Sequence, residues 1–404
     1  MGHGMESIIE ELLKDFQCGD AMLSPRNFHP KAKHKLPEDK AAEYAAQLHR
    51  IGDVNIYFDP QMYTLRTPKS ALQSFRYWST ANGDLDARCG DTLTELMKIN
   101  NRCDTSAIIL PSHTAAGIDS DWRKSQQSII NKALEVNGGR PTYATVALNA
   151  DILRDQSQVD AIVLEVENWD VDGVYIVCEH PNKTYLTDEP LWLLNYLVLI
   201  AGLKRTGKKV MAGYGSHQML ILGLAKCDVM FSGSFLNVRR FETSTFEEQD
   251  NNSPSRRAVW YYAPKTFSEF KIQTLDLAWQ AQQQSSVRPL AMLQTPYPDD
   301  RYALPLFRGA RPTSTNYGES ESFKHYLFCL NKQTAELTRE TYDETLAAYR
   351  SQLQVAEQLI DVLDKFGIHD RDRNFANSFP VAYQALSSFD QFMGFVMRQE
   401  WNRL

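Results

Sequence analysis

Asp59 directly follows the apolar run VNIYF and precedes Pro60. A carboxylate set on an apolar floor has its charged form disfavoured, which moves its pKa toward the range of a general acid or base. Glu179 and His180 together end a second run, GVYIVC. Adjacent strand residues point to opposite faces, so only one of the two can face a shared interior, and Glu179 is assigned there. The competing structural roles are a turn-forming Asp before Pro and a loop ion pair. His113 follows SAIIL, Asn149 follows YATVAL, and His217 and Ser232 follow two further runs.

The densest signal lies in residues 209–240. Gly213 and Gly215 end one apolar run, Ser232-Gly233-Ser234 ends the next, and a short leucine-rich stretch separates them. Small residues at successive strand ends let backbone N–H groups approach a ligand, such as a phosphate or a planar base. The expected ligand-binding set is therefore Gly213, Gly215, Ser232, Gly233, Ser234, His180 and His217, with Asp59 and Glu179 as the acid/base pair. Arg239 and Arg240 could reach an anionic substrate, or simply be solvated.

Neither a metal nor a cofactor is expected. His29 and His34 share one loop, and His113, His180 and His217 could converge, but no HxH, HExxH or Cys-rich spacing is present. A GxSxG elbow and a Walker loop are also missing. The six cysteines form no CxxC pair and read as buried, reduced thiols.

These residues need elements to hold them. Apolar runs at 19–24, 54–58, 106–110, 143–148, 173–178, 209–212, 228–231 and 258–263 alternate with helical stretches. Strand-helix alternation implies parallel pairing, and eight units close a (β/α)₈ TIM-type barrel, whose working residues sit at the C-terminal strand ends. A doubly wound open sheet has the same alternation. The stretch SEFKIQTLDLAWQAQQQ reads as the helix after the eighth strand.

The expected organisation is an α/β barrel over 1–286, a Pro-rich crossing loop or linker over 287–322, and a C-terminal helical extension over 323–404. The last predicted helix, 382–398, puts Leu386, Phe389, Phe392, Met393, Phe395 and Val396 largely on one side. That side either packs on the barrel or pairs with another protein or a second copy.

With 404 residues and a net charge of -7, the chain presents no global positive field toward nucleic acid or anionic membrane. The longest apolar stretch, LWLLNYLVLIAGL, is too short to span a bilayer, and the first residues lack the order of a secretory signal. A cytoplasmic protein with no membrane association is expected.

The order Gly213-Tyr214-Gly215, leucine-rich helix, CDVMF, then a small-residue turn toward Arg239-Arg240 resembles the late barrel strands of the tRNA-guanine transglycosylase superfamily, including its DNA-modifying relatives. Phe58-Asp59 is similar to that family's first catalytic carboxylate. The likeness covers a small part of the chain, with two departures. Where the family carries a nucleophilic Asp this chain offers Phe231, Ser232 or Gly233, and the family's Cys-rich zinc cluster followed by a His is missing. The resemblance implies a barrel binding a purine-like base, nucleotide or nucleic acid at its C-terminal mouth, with diverged glycosyl-transfer chemistry or none. The alternatives are a non-catalytic subunit or scaffold that binds partners through its helical tail, and a lyase, aldolase or hydrolase of a phosphorylated metabolite.

Overall fold

The computed structural model describes residues 5–28, 36–64, 68–81, 85–248 and 258–404. It is a mixed α/β molecule. The described strands are β1 Cys18–Leu23, β2 Asp53–Phe58, β3 Ile108–Ile109, β4 Thr142–Leu148, β5 Gly173–Cys178, β6 Lys209–Ala212, β7 Val229–Met230, β8 Trp260–Ala263 and β9 Ser268–Lys271.

The first seven run parallel in sequence order. β1 pairs with β2, and β3 through β7 form one five-stranded sheet in the order β3-β4-β5-β6-β7. β2 and β3 are bridged by the Ser106 N–H donating to the Ile56 carbonyl at 2.8 Å, and by the Ile56 N–H donating to Ser106 Oγ at 3.2 Å. Every residue of β4 and β5 is buried, as expected of parallel strands covered on both faces. A doubly wound sheet reverses its strand order at a switch point, and no reversal occurs in this order.

The sheet curls. The Tyr57 ring of β2 lies 6.4 Å from Tyr143 of β4 and 5.7 Å from Phe231 just after β7, and Tyr175 of β5 lies 6.3 Å from Phe231. These rings meet inside the curve.

No closed eight-stranded ring forms among the described residues, because the eighth apolar run leaves the parallel set. β8 pairs antiparallel with β9, Trp260 opposite Lys271 and Ala263 opposite Ser268. Pro264–Thr266 makes a tight 3₁₀ turn, and Phe267 follows in the left-handed region at φ 50°. Among the described strands β8 has β9 as its sheet partner, apart from the parallel set. This corrects two expectations: residues 258–263 are not a parallel barrel strand, and 268–271 are strand rather than helix, with the helix confined to Ile272–Gln284.

β7 and β1 are not paired with each other among the described strands. Along this seam stand the N-terminal helix Glu6–Phe16, burying Ile8, Leu12 and Leu13, and the helix Glu319–Leu337. The first is held by its buried apolar side, and ion pairs join it at the surface: Arg301 with Glu11 at 3.0 Å and Asp15 at 2.9 Å, and Lys324 with Glu11 at 2.5 Å.

Two hydrophobic cores result. The large one joins the parallel strands, their helices and most of the C-terminal helices. The smaller one joins β8, β9, the helix Ile272–Gln284 and the Pro-rich stretch, through residues such as Tyr261, Phe270, Leu275, Leu293 and Leu306. The Pro-rich stretch carries short helices at Pro289–Leu293, Leu304–Phe307 and Pro312–Ser314. The last helix, Phe379–Glu400, packs along Pro190–Arg205 of its own chain, while Phe392 and Phe395 face outward at 63% and 71% exposure. Among the described residues no helix is long and apolar enough to cross a membrane.

Candidate functional site

Asp59 stands one residue beyond β2, its N–H held by the Leu23 carbonyl at 3.0 Å, and it is fully buried. Its Oδ1 accepts from the Gln61 N–H and the Tyr63 hydroxyl, both at 2.9 Å, and its Oδ2 accepts from the Tyr214 hydroxyl at 3.0 Å. Gln61 Nε2 donates to the Tyr214 oxygen at 2.9 Å, whereas Gln61 Oε1 is buried with no hydrogen-bond partner. Burial raises the Asp59 pKa above the ordinary carboxylate value, although all three donors oppose the rise. The same burial, with Asp59 beside them, pushes the Tyr63 and Tyr214 hydroxyls well above the usual phenol range, so both remain donors.

The backbone is strained around this carboxylate. Gln61 at φ 54° and Tyr214 at φ 57° are non-glycine residues in the left-handed region. Strain of this kind costs on the order of 1–3 kcal/mol per residue and persists where the surrounding structure over-determines the geometry. Gly213 and Gly215 flank Tyr214 for a different reason, close packing: a Cβ at Gly213 would lie 2.3 Å from the Tyr175 hydroxyl, and one at Gly215 2.7 Å from the Met230 side chain.

Asp59 lines a cavity of about 430 Å³ that follows the seam between β7 and β1. Asp20, Met22, Ser24, Tyr175, Tyr214, Asp228, Phe231 and Ser232 share the lining, and apolar faces of the two seam helices close it. Three carboxylates face this space, and among the described lining residues none is Lys, Arg or His. Asp228 is neutralised by Lys204, which donates to both its oxygens at 2.9 Å. Asp20 has its pKa raised by burial, against hydrogen bonds from Asn55 and Tyr57. Ser232 Oγ is buried without a hydrogen-bond partner among the described residues.

The ends of the strands above Asp59 are covered. Tyr63 packs against Phe241 at 4.8 Å and Phe246 at 4.9 Å, and Tyr214 against Phe241 at 5.4 Å. Glu179 builds this cover: its half-buried Oε1 accepts from the Thr243 N–H at 2.8 Å, and its backbone bridges to Phe241. Glu179 thus holds a loop and lies outside the cavity lining.

Of the residues expected from sequence, the structure brings Asp59 and Ser232 to one cavity. Gly213 backs Tyr175, Gly215 donates its N–H to the Phe231 carbonyl at 2.8 Å, and Gly233 lies against Val238. Ser234 is buried away from the lining. His180 stacks edge-on against Trp192 at 5.4 Å, with Nδ1 3.3 Å from the Thr184 carbonyl, and burial lowers its pKa to about 4. His217 is fully buried among Tyr185, Tyr262, Tyr326 and Phe375, and burial lowers its pKa to about 4. His29 and His34 lie outside the described residues.

Arg239 is not solvated. It is buried, pairs with Glu269 at 3.1 Å, and lies over the Tyr326 ring at 3.3 Å. Arg373 reaches the same carboxylate at 2.7 Å. Burial pushes the Glu269 pKa up, but Arg239 and Arg373 outweigh it and hold the group at about 2. Arg240 pairs with Glu242 at 2.7 Å. Sequence reasoning missed Tyr63, Tyr175, Gln61 and Asp20. The one available signal was Tyr214, a large aromatic wedged between two glycines.

The fold and site define a mixed α/β protein with a curled parallel sheet and a carboxylate-lined cavity along its open seam. Compared with models of protein families, with curated proteins and with solved structures, the chain matches none.

Proposed function

We propose that this protein binds a purine-like base in the seam cavity, free or as part of a nucleotide or nucleic acid, with Asp59 accepting hydrogen bonds from the base. The observation that carries this reading is the polar part of the lining: Asp20 and Asp59, an Asp228 already paired with Lys204, two tyrosines and a Ser232 hydroxyl with no partner among the described residues, and no Lys, Arg or His among the described lining residues. Such a wall is complementary to a neutral, planar, N–H-rich ligand and repels phosphate. The volume falls within the roughly 300–1,000 Å³ of small-molecule sites. A phosphate carried by the ligand would therefore stay outside the cavity, which disfavours the phosphorylated-metabolite alternative.

The parallel strands are read as a (β/α)₈-type barrel whose eighth strand has been drawn into the β8–β9 hairpin, with the two seam helices standing in its place. The position where the resembled family carries a second, nucleophilic carboxylate is occupied here by Phe231, Ser232 and Gly233, and Glu179 is engaged with Thr243. Both features favour binding over covalent base exchange.

Titration calorimetry with guanine, adenine and their 5′-monophosphates tests this. Binding of a base, at least tenfold weaker in Asp59→Ala and weaker for the monophosphate, is expected. No binding of any base, or binding untouched by Asp59→Ala, overturns the proposal.

A further inference from the structure

We propose that Asp300, His325 and Cys329 form a binding site for one divalent zinc-like cation, outside the lining of the seam cavity and structural in purpose. All three are fully buried, and their donor atoms lie within 4.8 Å of one another. His325 and Cys329 stand four residues apart on the helix Glu319–Leu337, so both side chains leave the same face. Asp300 meets them from the Pro-rich stretch.

The hydrogen bonding of His325 sets its tautomer. Nε2 is 2.6 Å from the Tyr262 carbonyl, which can only accept, so Nε2 carries a hydrogen. In the neutral ring Nδ1 is then a lone-pair donor. It faces Asp300 Oδ2 at 2.7 Å and Cys329 Sγ at 3.5 Å. A carboxylate oxygen and an imidazole lone pair cannot approach to 2.7 Å without a positive charge between them, either a proton or a cation. A ring N–H given to a backbone carbonyl, with the other nitrogen free, is also the usual outer-shell arrangement of a metal-bound histidine.

The three donors suit three corners of a tetrahedral ion, with the fourth left to a small ligand such as water. With zinc–sulfur near 2.3 Å and zinc–nitrogen or zinc–oxygen near 2.0–2.1 Å, donors at tetrahedral angles stand about 3.5 Å apart for S and N, and about 3.3–3.4 Å apart for N and O. The observed Sγ–Nδ1 separation of 3.5 Å already fits. The Oδ2–Nδ1 pair needs to open by roughly 0.6 Å, and Sγ–Oδ2 to close slightly from its 3.9 Å. A sulfur, an imidazole and one carboxylate oxygen are a donor set suited to zinc and cobalt rather than magnesium or calcium, which take oxygen ligands.

Charge balances as well. The cation replaces the proton shared by His325 and Asp300 and the thiol proton of Cys329, releasing two protons. The thiolate and the carboxylate then cancel its two positive charges, leaving a neutral buried centre. Such a centre would tie the helix Glu319–Leu337 to Asp300 and, through Nε2, to β8, so it would pin the smaller hydrophobic core to the larger one.

The test uses the full chain. Metal analysis of protein purified without added metal or chelator should give about one equivalent of zinc, and cobalt exchanged into it should show a thiolate-to-cobalt charge-transfer band that Cys329→Ser abolishes. Chelation should lower the melting temperature of the wild-type chain, zinc alone should restore it, and Cys329→Ser should be insensitive to both. If Cys329→Ser fails to fold, the wild-type measurements decide alone. Protein that contains no zinc, shows no cobalt–thiolate band and gains no thermal stability from zinc overturns the proposal.

Discussion

Tyr214 donates its hydroxyl to Oδ2 of Asp59 at 3.0 Å across 155 residues of sequence, joining the end of β6 to the end of β2 inside the curl of the sheet. The bond fixes one carboxylate oxygen at the cavity wall. Tyr63 and the Gln61 N–H fix the other.

Asp59 should make stability depend on pH with a sign opposite to that of most carboxylates. Its folded pKa is raised, so the folded chain holds the proton more tightly than the unfolded chain, and its contribution is lost as pH rises above about 3.9. Asp59→Asn keeps the shape without the charge. The stability of this variant relative to wild type should therefore rise from pH 4 to pH 7, as read by urea unfolding. A difference that stays flat across this range contradicts the assignment.

Tyr63→Phe and Tyr214→Phe each remove one donor from a buried carboxylate. A hydrogen bond to a charged group contributes about 1.5–3 kcal/mol, so each variant should lose stability of that order at pH 7. Each should also raise the Asp59 pKa further. Denaturant midpoints of both single variants in an Asp59→Asn background should move less than in wild type, and equal shifts in the two backgrounds would show that the hydroxyls act independently of Asp59.

Glu269 has the reverse sign. Held at about 2 between Arg239 and Arg373, it contributes stability that is present above its ordinary value of 4.5 and is lost as pH falls from there toward 2. Glu269→Gln leaves the buried Arg239 without its counter-charge and should cost about 3–5 kcal/mol at neutral pH. Its acid unfolding curve between pH 4.5 and 2 should be shallower than that of wild type. An equally steep curve would remove Glu269 as the titrating group.

Two neighbouring glycines should differ. A methyl at Gly213 meets the Tyr175 hydroxyl at 2.3 Å, and the ring is enclosed by packing, whereas a methyl at Gly215 meets the flexible Met230 side chain at 2.7 Å. Gly213→Ala should cost about 1–3 kcal/mol and weaken ligand binding by displacing a cavity wall, while Gly215→Ala should cost less. Thermal melts of the two variants give the ranking directly, and the reverse order would refute it.

Most of the seven parallel strands could be found in the sequence because they are short, largely apolar runs with β-branched or aromatic residues, a signal carried by local composition, whereas β1, CGDAML, has neither residue type and is placed by the alternation alone. Asp59 was visible for the same reason, as a carboxylate directly after such a run. The eighth run carries the same local signal, AVWYYA, yet β9 captured it. Which partner a strand takes is not written in its own composition, and here the Pro264 turn with Phe267 in the left-handed region returns the chain so that β9 lies against it. The Asp300, His325 and Cys329 cluster was also invisible. Its Asp lies far from a His and a Cys that share one helix face, a spacing outside the familiar metal motifs.

The sequence by itself determined the alternation of strand and helix, the acidic charge and the carboxylate at the end of β2, because each depends on the residue and its near neighbours. Only the tertiary structure decided that β7 and β1 are not paired among the described strands, that Tyr63 and Tyr214 converge on Asp59, that Glu179 holds a loop, and that Arg239 is buried on Glu269. These arise from contacts between segments far apart in the chain. Such contacts are selected by packing and burial of the whole molecule, which no local pattern of residues encodes.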